Sequence, residues 1–409
     1  MKIKKPKLLT VQRSLFNAVK ALLLYISLFV LFFFDSAFYP ANNMSGTSKL
    51  FINIVAVIGL VVAFGMVMRI KKRLLLAYVI FCALIIVSGL SDSAFKKAFI
   101  MLVCVTTGFA VANFLSYSRF KKIYKDMMLF LAGFSLVTLV IWLTFPSFIT
   151  SLPIIKSTTS NYHNAIFSVI SSSTVSTRNF GLFWEPGAFA IFLNIALLFE
   201  MTDKKQSVLK IFIYMVAITT TMSTLGVICL TVLTVAYVFN KDRSLKNYKR
   251  NKAVIVLVSL AALIYIAHFG DDFVSDIFGK LSSNESGNIS SSTKVRINAV
   301  IYPFMAFIKS PIVGVGFDEF TNISTNYCNS MATCTFINWL TIYGVFGIIF
   351  IVACVRVFLS HANTKISKLT LLLFALILFS TESFLLIGFV YIFVFYGILT
   401  VPSRKRRNR

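Results

Sequence analysis

Acidic residues and histidines are scarce in this sequence, and their scarcity excludes several kinds of site. The 409 residues include 14 Asp and Glu and 3 His. No Asp-x-Asp motif occurs, and the segments that could carry chemistry contain no cluster of His, Asp and Glu suited to a metal ion. The Gly-x-x-x-x-Gly-Lys-Ser/Thr and Gly-x-Gly-x-x-Gly motifs of nucleotide-binding proteins are also missing. We therefore expect a protein that works without a metal and without a cofactor.

Long hydrophobic runs, by contrast, are abundant and indicate a polytopic membrane protein. Hydrophobic residues make up 58% of the chain, and the mean hydropathy is +0.85. The runs are about 15–22 residues long, as for helices that cross or pack within a bilayer. They predict an all-α fold with about 12 transmembrane helices, a single integral membrane domain over 1–409, and both termini in the cytoplasm. The predicted spans are 14–34, 50–68, 74–90, 98–115, 127–145, 183–199, 208–222, 224–239, 253–268, 335–355, 369–380 and 384–400.

The distribution of basic residues tests this topology independently. A net charge of +26 could indicate nucleic-acid binding, but the basic residues stand in short clusters between the apolar runs. Of 40 Lys and Arg, 31 (40 − 9) fall on the predicted inner side, which is the positive-inside pattern. We therefore expect these clusters to contact the lipid bilayer and not nucleic acid. The nine on the outer side are Lys49, Lys96, Lys97, Lys156, Arg178, Lys280, Lys294, Arg296 and Lys309.

Two long segments on the predicted outer side, 146–182 and 269–334, are where we expect any chemistry. The inner loops are too short for a folded catalytic domain, the longest being Asn240–Lys252. The first outer loop is polar, with too little apolar periodicity to predict a core. We expect it to lie over the membrane surface and to become ordered near Arg178.

The second outer loop contains one apolar stretch, Lys294–Lys309, that is too short for a convincing span. It predicts an interfacial helix with a kink or break near Pro303. Ser310–Gly316 follows as a turn whose two glycines let the backbone approach a ligand closely. An ordinary surface helix and turn is the simpler alternative. Cys328 and Cys334, the only cysteines in the outer loops, are expected to form a disulfide.

A stretch at the end of the first outer loop combines an arginine, a carboxylate and the start of an apolar helix. In Arg178-Asn-Phe-Gly-Leu-Phe-Trp-Glu-Pro-Gly187 the charged residues are Arg178 and Glu185. A charge near hydrocarbon costs roughly 2.5–3.5 kcal/mol and persists mainly where it faces a cavity. The helix-start alternative is that the acid and the proline after it only begin a helix. From Pro186 to Phe199 that helix would be about 21 Å long, shorter than the hydrocarbon thickness of about 30 Å. Phe183–Pro186 is therefore expected below the outer surface.

These motifs resemble those of the bacterial O-antigen polymerase and O-antigen ligase superfamily. The resemblance rests on Arg178-x-x-Gly181, on Glu185-Pro186-Gly187 at a helix start, and on Arg296 followed by Ser310–Gly316. It implies a glycosyltransferase of the bacterial inner (cytoplasmic) membrane, without a metal, whose site faces the periplasm. Such an enzyme joins undecaprenyl-diphosphate-linked oligosaccharide repeats into O-antigen or a similar surface polysaccharide. A co-polymerase that regulates chain length would be a further partner.

The same resemblance separates the polymerase branch from the ligase branch. Ligases typically carry a histidine in the long loop just before the following helix, and 322–338 contains none. This departure favours a polymerase, with a ligase as the alternative within the superfamily.

The chemistry of a glycosyl diphosphate assigns roles to the candidate residues. The leaving diphosphate must be stabilised and the acceptor hydroxyl deprotonated, and without a metal the first task falls to guanidinium groups. We expect Glu185, Arg178 and Arg296 to be catalytic, with Glu185 as the base. Asp318, Glu319 and His163 are the alternative acid or base candidates. The expected substrate-binding residues are Lys294, Lys309, Gly314, Gly316, Asp318, Glu319 and His163.

A flippase for the same lipid-linked oligosaccharide is the main alternative from another class. Twelve helices and basic inner loops suit a transporter equally well. A flippase would be expected to place charged groups inside its helical bundle and to keep its outer loops short. The predicted helix interiors here hold almost no acids, which favours the enzyme.

Overall fold

The computed structural model describes residues 7–64, 70–89, 95–157, 160–172, 178–240, 252–253, 255–256, 259–260, 291–329, 332–380 and 382–400. These residues form a bundle with a helix in each predicted span that the description covers; most of 253–268 lies outside it. The helices are α1 Lys7–Phe33, α2 Phe38–Asn43, α3 Gly46–Phe64, α4 Lys72–Ser88, α5 Phe95–Phe114, α6 Tyr117–Thr144, α7 Pro146–Thr150, α8 Pro186–Met201, α9 Val208–Thr220, α10 Thr224–Phe239, α11 Ser291–Lys309, α12 Gly316–Tyr327, α13 Thr335–Tyr343, α14 Gly347–Leu359, α15 Lys365–Ser380 and α16 Gly388–Leu399.

The lengths and hydropathies are those of a helical membrane protein. Five helical segments in the described residues are long and apolar enough to cross a bilayer, and several apolar helices of 10–17 residues accompany them. The number of twelve crossings stays a prediction. The five segments are Phe16–Ser36, Gly46–Phe64, Phe95–Phe114, Tyr117–Thr144 and Thr335–Leu359.

A small β-sheet in the first outer loop departs from the predicted all-α fold. Strands β1 (Ile154–Lys156), β2 (Asn161–Asn164) and β3 (Val169–Ser171) pair antiparallel in the order β1-β2-β3. Strands this short show no hydrophobic alternation that a sequence scan can detect. They are stabilised by two small apolar clusters, of which one joins Ile155 and Val169 to Phe180. The described part of this loop before Arg178 therefore already contains regular structure.

Hydrogen bonds between loops show which of the connecting segments lie at the same end of the bundle. At one end, the His361 imidazole bridges Tyr117 Oη and Thr202 Oγ1, both at 2.8 Å. Asn240 Nδ2 donates to the His361 carbonyl at 3.1 Å. We call this the His361 end, and the opposite end, which carries β1–β3, the sheet end. All the loops joined here are predicted to be inner, and which end faces the cytoplasm stays a prediction.

His361 is buried, and its imidazole has an unusually low pKa. Burial, together with the nearby positive charge of Lys121, lowers the pKa of the imidazole to about 3. The ring is therefore neutral at physiological pH and serves as a hydrogen-bonded tie between loops.

Replacing His361 with glutamine is expected to remove part of the protein's acid sensitivity. An unfolded histidine takes up a proton near pH 6.5, whereas the folded imidazole does so only near pH 3. Stability is therefore lost as the pH falls below about 6.5, by about 2 kcal/mol between pH 7.5 and pH 5. Thermal unfolding of the purified protein in detergent at the two pH values measures this loss. Equal losses in wild type and His361→Gln would contradict the assignment.

A buried ion cluster joins α6 to the end of α8. Lys125 Nζ lies 2.8 Å from Glu200 Oε2 and 2.5 Å from Asp203 Oδ2, and Glu200 is only 1% exposed. Burial alone would raise the pKa of the Asp203 carboxyl, but the hydrogen bond and charge of Lys125 outweigh it and lower that pKa. Glu200 and Asp203 follow the predicted span 183–199 and Lys125 precedes the span 127–145, so the cluster lies at the ends of two predicted spans.

The second outer loop is helical where the structure describes it. Helix α11 runs without interruption through Pro303, so the expected break is not found. Its exposed apolar residues recur at helical spacing, as in an interfacial helix. They are Ile297, Val300, Ile301, Phe304, Met305 and Ile308. Cys328 and Cys334 are separate thiols and not the expected disulfide. Cys328 Sγ lies 3.6 Å from the Asn298 carbonyl oxygen, and Cys334 stands directly before α13.

Candidate functional site

The segment 178–187 is fixed by backbone hydrogen bonds on two sides. Trp184 N donates to the Ser36 carbonyl at 3.2 Å, and Phe38 N donates to the Leu182 carbonyl at 2.8 Å. On the other side Val169 N, in β3, donates to the Gly181 carbonyl at 2.8 Å. The sheet and the turn after α1 therefore hold the motif between them.

Gly181 is required by both backbone conformation and space. Its φ is +52°, and a Cβ there would lie 2.7 Å from the Phe189 ring. A side chain would therefore clash with the first turns of α8 as well as strain the backbone. The glycine of the Arg178-x-x-Gly181 motif lets the chain pass close over α8 on its way from Arg178 to Glu185.

Arg178 and Asn179 are held by the turn between α9 and α10. Arg178 Nε donates to the Thr221 carbonyl at 3.1 Å, and the residue as a whole is exposed. Asn179 N donates to the Thr220 carbonyl at 2.9 Å, and its Nδ2 donates to Ser135 Oγ at 3.1 Å. Ser135 stands nine residues before the end of α6 at Thr144, which places this contact about 13 Å below that end. The expectation that Phe183–Pro186 lies below the outer surface stays a prediction.

Glu185 sits at the start of α8, and its carboxylate lies near Gly187, as does the Ser223 hydroxyl of the same turn. It is half-buried and extended, with φ −154° and ψ 159°, and its side chain makes no capping hydrogen bond to α8. A Cβ built on Gly187 would lie 3.0 Å from Glu185 Oε1 and 3.7 Å from Ser223 Oγ. Glu185 is the N-cap residue and Pro186 begins α8, as the helix-start alternative predicts, although the Glu185 side chain forms no capping hydrogen bond.

The structure therefore gathers Arg178 and Glu185 around the turn Thr221–Ser223. Ser223 Oγ caps α10 by accepting from Gly226 N at 3.3 Å, so α8 and α10 both begin beside this turn. Helix N-termini carry partial positive charge and exposed N–H groups, which favour anions. A guanidinium and two helix N-termini can bind a diphosphate, while the adjacent carboxylate can accept a proton.

Several other candidate residues are grouped on α11, α12 and the turn between them. Lys309 is exposed at the end of α11, and Asp318 and Glu319 lie in the first turn of α12. Helix α12 is joined to α5 because Lys97 Nζ donates to Thr321 Oγ1 at 2.6 Å.

The two glycines of the α11–α12 turn both have φ +74°. A Cβ on Gly314 would lie 2.4 Å from the Ile342 carbonyl oxygen. Gly314 therefore allows the α11–α12 turn to pack closely against the backbone between α13 and α14. Gly316 begins α12, where a Cβ would lie 3.3 Å from the Ser88 carbonyl oxygen.

The remaining candidates are less informative about the site. Lys294 and Arg296 lie in the first turns of α11, and their side chains are outside the described part of the chain. His163 is 5% exposed in β2, with Nδ1 3.5 Å from the Leu152 carbonyl oxygen. Its ring is thus packed within the first outer loop.

Two groups of polar residues at the sheet end were not expected from sequence. The first is Thr220 and Thr221, which accept hydrogen bonds from Arg178 and Asn179. Their place in a Ser/Thr-rich interruption between two apolar runs is the signal that could have indicated them. The second surrounds Asp35, which ends the first apolar run and lines a cavity of about 260 Å³. Lys49 and Asn53, four residues apart at the start of α3, line the same cavity.

No protein-family model, curated protein or solved structure matches this chain.

Proposed function

We propose that the protein is a glycosyltransferase that joins undecaprenyl-diphosphate-linked oligosaccharide repeats into O-antigen or a similar surface polysaccharide. The observation that carries this proposal is that Arg178 and Glu185 both lie near the turn Thr221–Ser223, beside Asn179, which contacts Ser135 about 13 Å along α6 from the end of that helix. A cation and a carboxylate beside an apolar helix bundle are costly near hydrocarbon and persist mainly where they act on a substrate.

The proposed reaction is a substitution at the anomeric carbon of the donor. The bond from that carbon to the diphosphate oxygen breaks, and a bond to the acceptor hydroxyl oxygen forms. Arg178, with the N-termini of α8 and α10, stabilises the departing lipid diphosphate. Glu185 accepts the proton of the acceptor hydroxyl. The exposed face of α11 keeps the second outer loop at the bilayer, where a lipid-linked substrate arrives.

Reconstitution of the purified protein with one defined lipid-linked repeat tests the proposal. We expect a ladder of products spaced by one repeat unit, made without added metal. Transfer of the repeat to a lipid A core would indicate a ligase instead. The absence of any glycosidic product from intact protein and substrate would contradict both.

The buried ion cluster is the observation that favours a second candidate, a transporter of the same lipid-linked oligosaccharide. Lys125 and Glu200 are 5% and 1% exposed within the bundle, as expected for charges in a transport pathway. Glu200 Oε1 also accepts from Ser207 N at 2.8 Å, however, so the cluster ties the α8–α9 connection together. Loss of a transporter leaves no glycan at the cell surface, whereas loss of a polymerase leaves single repeats.

A further inference from the structure

A second polar site lies at the sheet end, on the other side of the turn that follows α1. Asp35 stands in a 3-10 turn, Phe34–Ser36, and Asn53 Nδ2 donates to its Oδ1 at 2.7 Å. Gly388, at the N-terminus of α16, lines the same cavity as this carboxylate. Helices α3, α5 and α16 enclose a cavity of about 260 Å³ beside this carboxylate.

The cavity combines two opposite charges that do not pair directly. Lys49 lines it together with Asp35 and is attracted to that carboxylate. Yet among the described residues no ion pair within 4 Å joins the two. A carboxylate and an ammonium that share an enclosed space without touching leave room for a ligand between them. Such charges within an apolar bundle are costly and are retained mainly for function.

The lining selects for an uncharged ligand with several hydroxyl groups. The negative charge of Asp35 and the positive charge of Lys49 offset one another, so the cavity favours neither an anionic nor a cationic ligand. A carboxylate accepts hydrogen bonds and an ammonium donates them, as does the Thr107 hydroxyl. The rest of the lining is largely apolar and suits the C–H face of a ring; it comprises Leu50, Ile100, Val103, Leu386 and Ile387.

The volume limits the ligand to about one ring. Pockets that enclose a drug-sized molecule measure roughly 300–1,000 Å³, and this cavity is smaller, at about 260 Å³. It can therefore take one sugar unit and not a whole oligosaccharide repeat.

We propose that this cavity binds one neutral sugar ring of the lipid-linked glycan, with Asp35 and Lys49 hydrogen-bonded to its hydroxyls. Ser36, the neighbour of Asp35, accepts a hydrogen bond from Trp184 N at 3.2 Å, and Trp184 precedes Glu185. The turn Phe34–Ser36 thus contacts both the cavity and the segment that carries Glu185. A glycan bound in the cavity can therefore extend toward the Arg178–Glu185 site. The identity of the glycan rests on the proposed function.

Binding of free monosaccharides to the full-length protein in lipid nanodiscs tests the proposal without an activity assay. The probes are neutral hexoses and N-acetylhexosamines at millimolar concentration, observed by saturation-transfer NMR. We expect at least one to bind wild type and Arg178→Ala alike. Asp35→Asn should weaken that binding at least tenfold, while the exposed control Lys156→Ala should not change it.

A cavity-filling variant provides a second test that does not depend on the charge of Asp35. A Cβ on Gly46 would meet only ordinary contacts, with Ile100 Cδ1 at 3.8 Å, so Gly46→Leu should fold and occupy the cavity. We expect it to abolish sugar binding. No binding of any neutral sugar to wild type, or undiminished binding to Gly46→Leu, would overturn the proposal. Sugar binding by a protein that forms no polymer would instead overturn only the proposed function.

Discussion

Replacing Arg178 with alanine is expected to lower polymer formation by about 10²–10³-fold, the typical loss when one preorganised donor to a developing charge is removed. Arg178→Lys should lie between alanine and wild type, because lysine keeps the charge but loses the planar fork that grips two phosphate oxygens. The loss of the Nε bond to the Thr221 carbonyl would also let the side chain move. Product ladders from reconstituted protein at matched concentration measure both effects.

Lys156→Ala is the matched control for Arg178. Lys156 is also basic, exposed and at the sheet end, in β1, so it tests whether any loss of positive charge there lowers activity. We expect its product ladder to equal that of wild type. Equal activity of Arg178→Ala and Lys156→Ala would contradict a role for Arg178 in binding diphosphate.

Replacing Glu185 with glutamine is expected to stop bond formation while leaving lipid-oligosaccharide binding largely intact. Glutamine keeps the shape of the side chain but cannot accept the acceptor's proton, which costs on the order of 10²–10⁴-fold for a general base. The helix-start alternative predicts a cost of at most about 1 kcal/mol in local stability through the helix dipole. Glycan length in cells at wild-type protein level distinguishes the two.

Gly187→Ala tests the same carboxylate without removing it. A Cβ at this position would lie 3.0 Å from Glu185 Oε1, so the carboxylate must shift and activity should fall. Asp126→Asn is the control, since Asp126 forms only a partly exposed ion pair with Lys210 at 3.2 Å, worth at most about 1 kcal/mol.

Normal long-chain glycan in Glu185→Gln cells would refute the catalytic assignment and leave the proposed function to depend on Arg178.

Hydrophobic patterning predicted the helices well because the apolar runs are long and separated by clear polar breaks. The break at Thr221–Ser223 was less clear, since 208–239 could equally have been one long helix, and the structure divides it into α9 and α10. The sheet was not predicted because strands of three or four residues are set by tertiary contacts, such as those of Ile155 and Val169 with Phe180, and not by local pattern. Such tertiary contacts have no signature in a single short segment.

The candidate site was predicted in part, for a similar reason. The unusual presence of Arg178 and Glu185 beside an apolar run indicated both residues, because charge near hydrocarbon is rare. Their common partner turn could not be deduced, since it is more than 30 residues away in the chain. Asp35 was overlooked because its partners Lys49 and Asn53 follow a separate loop, so only the folded chain shows that all three line one cavity.

The shortness of α8, α9 and α10 has a consequence for the surrounding lipid. At 16, 13 and 16 residues they extend about 20–24 Å, against about 30 Å of hydrocarbon. Helices α9 and α10 expose Leu209, Phe212 and Ile228, so a bilayer there is expected to thin to meet them, at a fraction of a kcal/mol per Å. Such thinning would bring the headgroup layer, and the diphosphate of a lipid carrier within it, down toward Arg178. The deformed membrane would then form part of the path by which the substrate reaches its site.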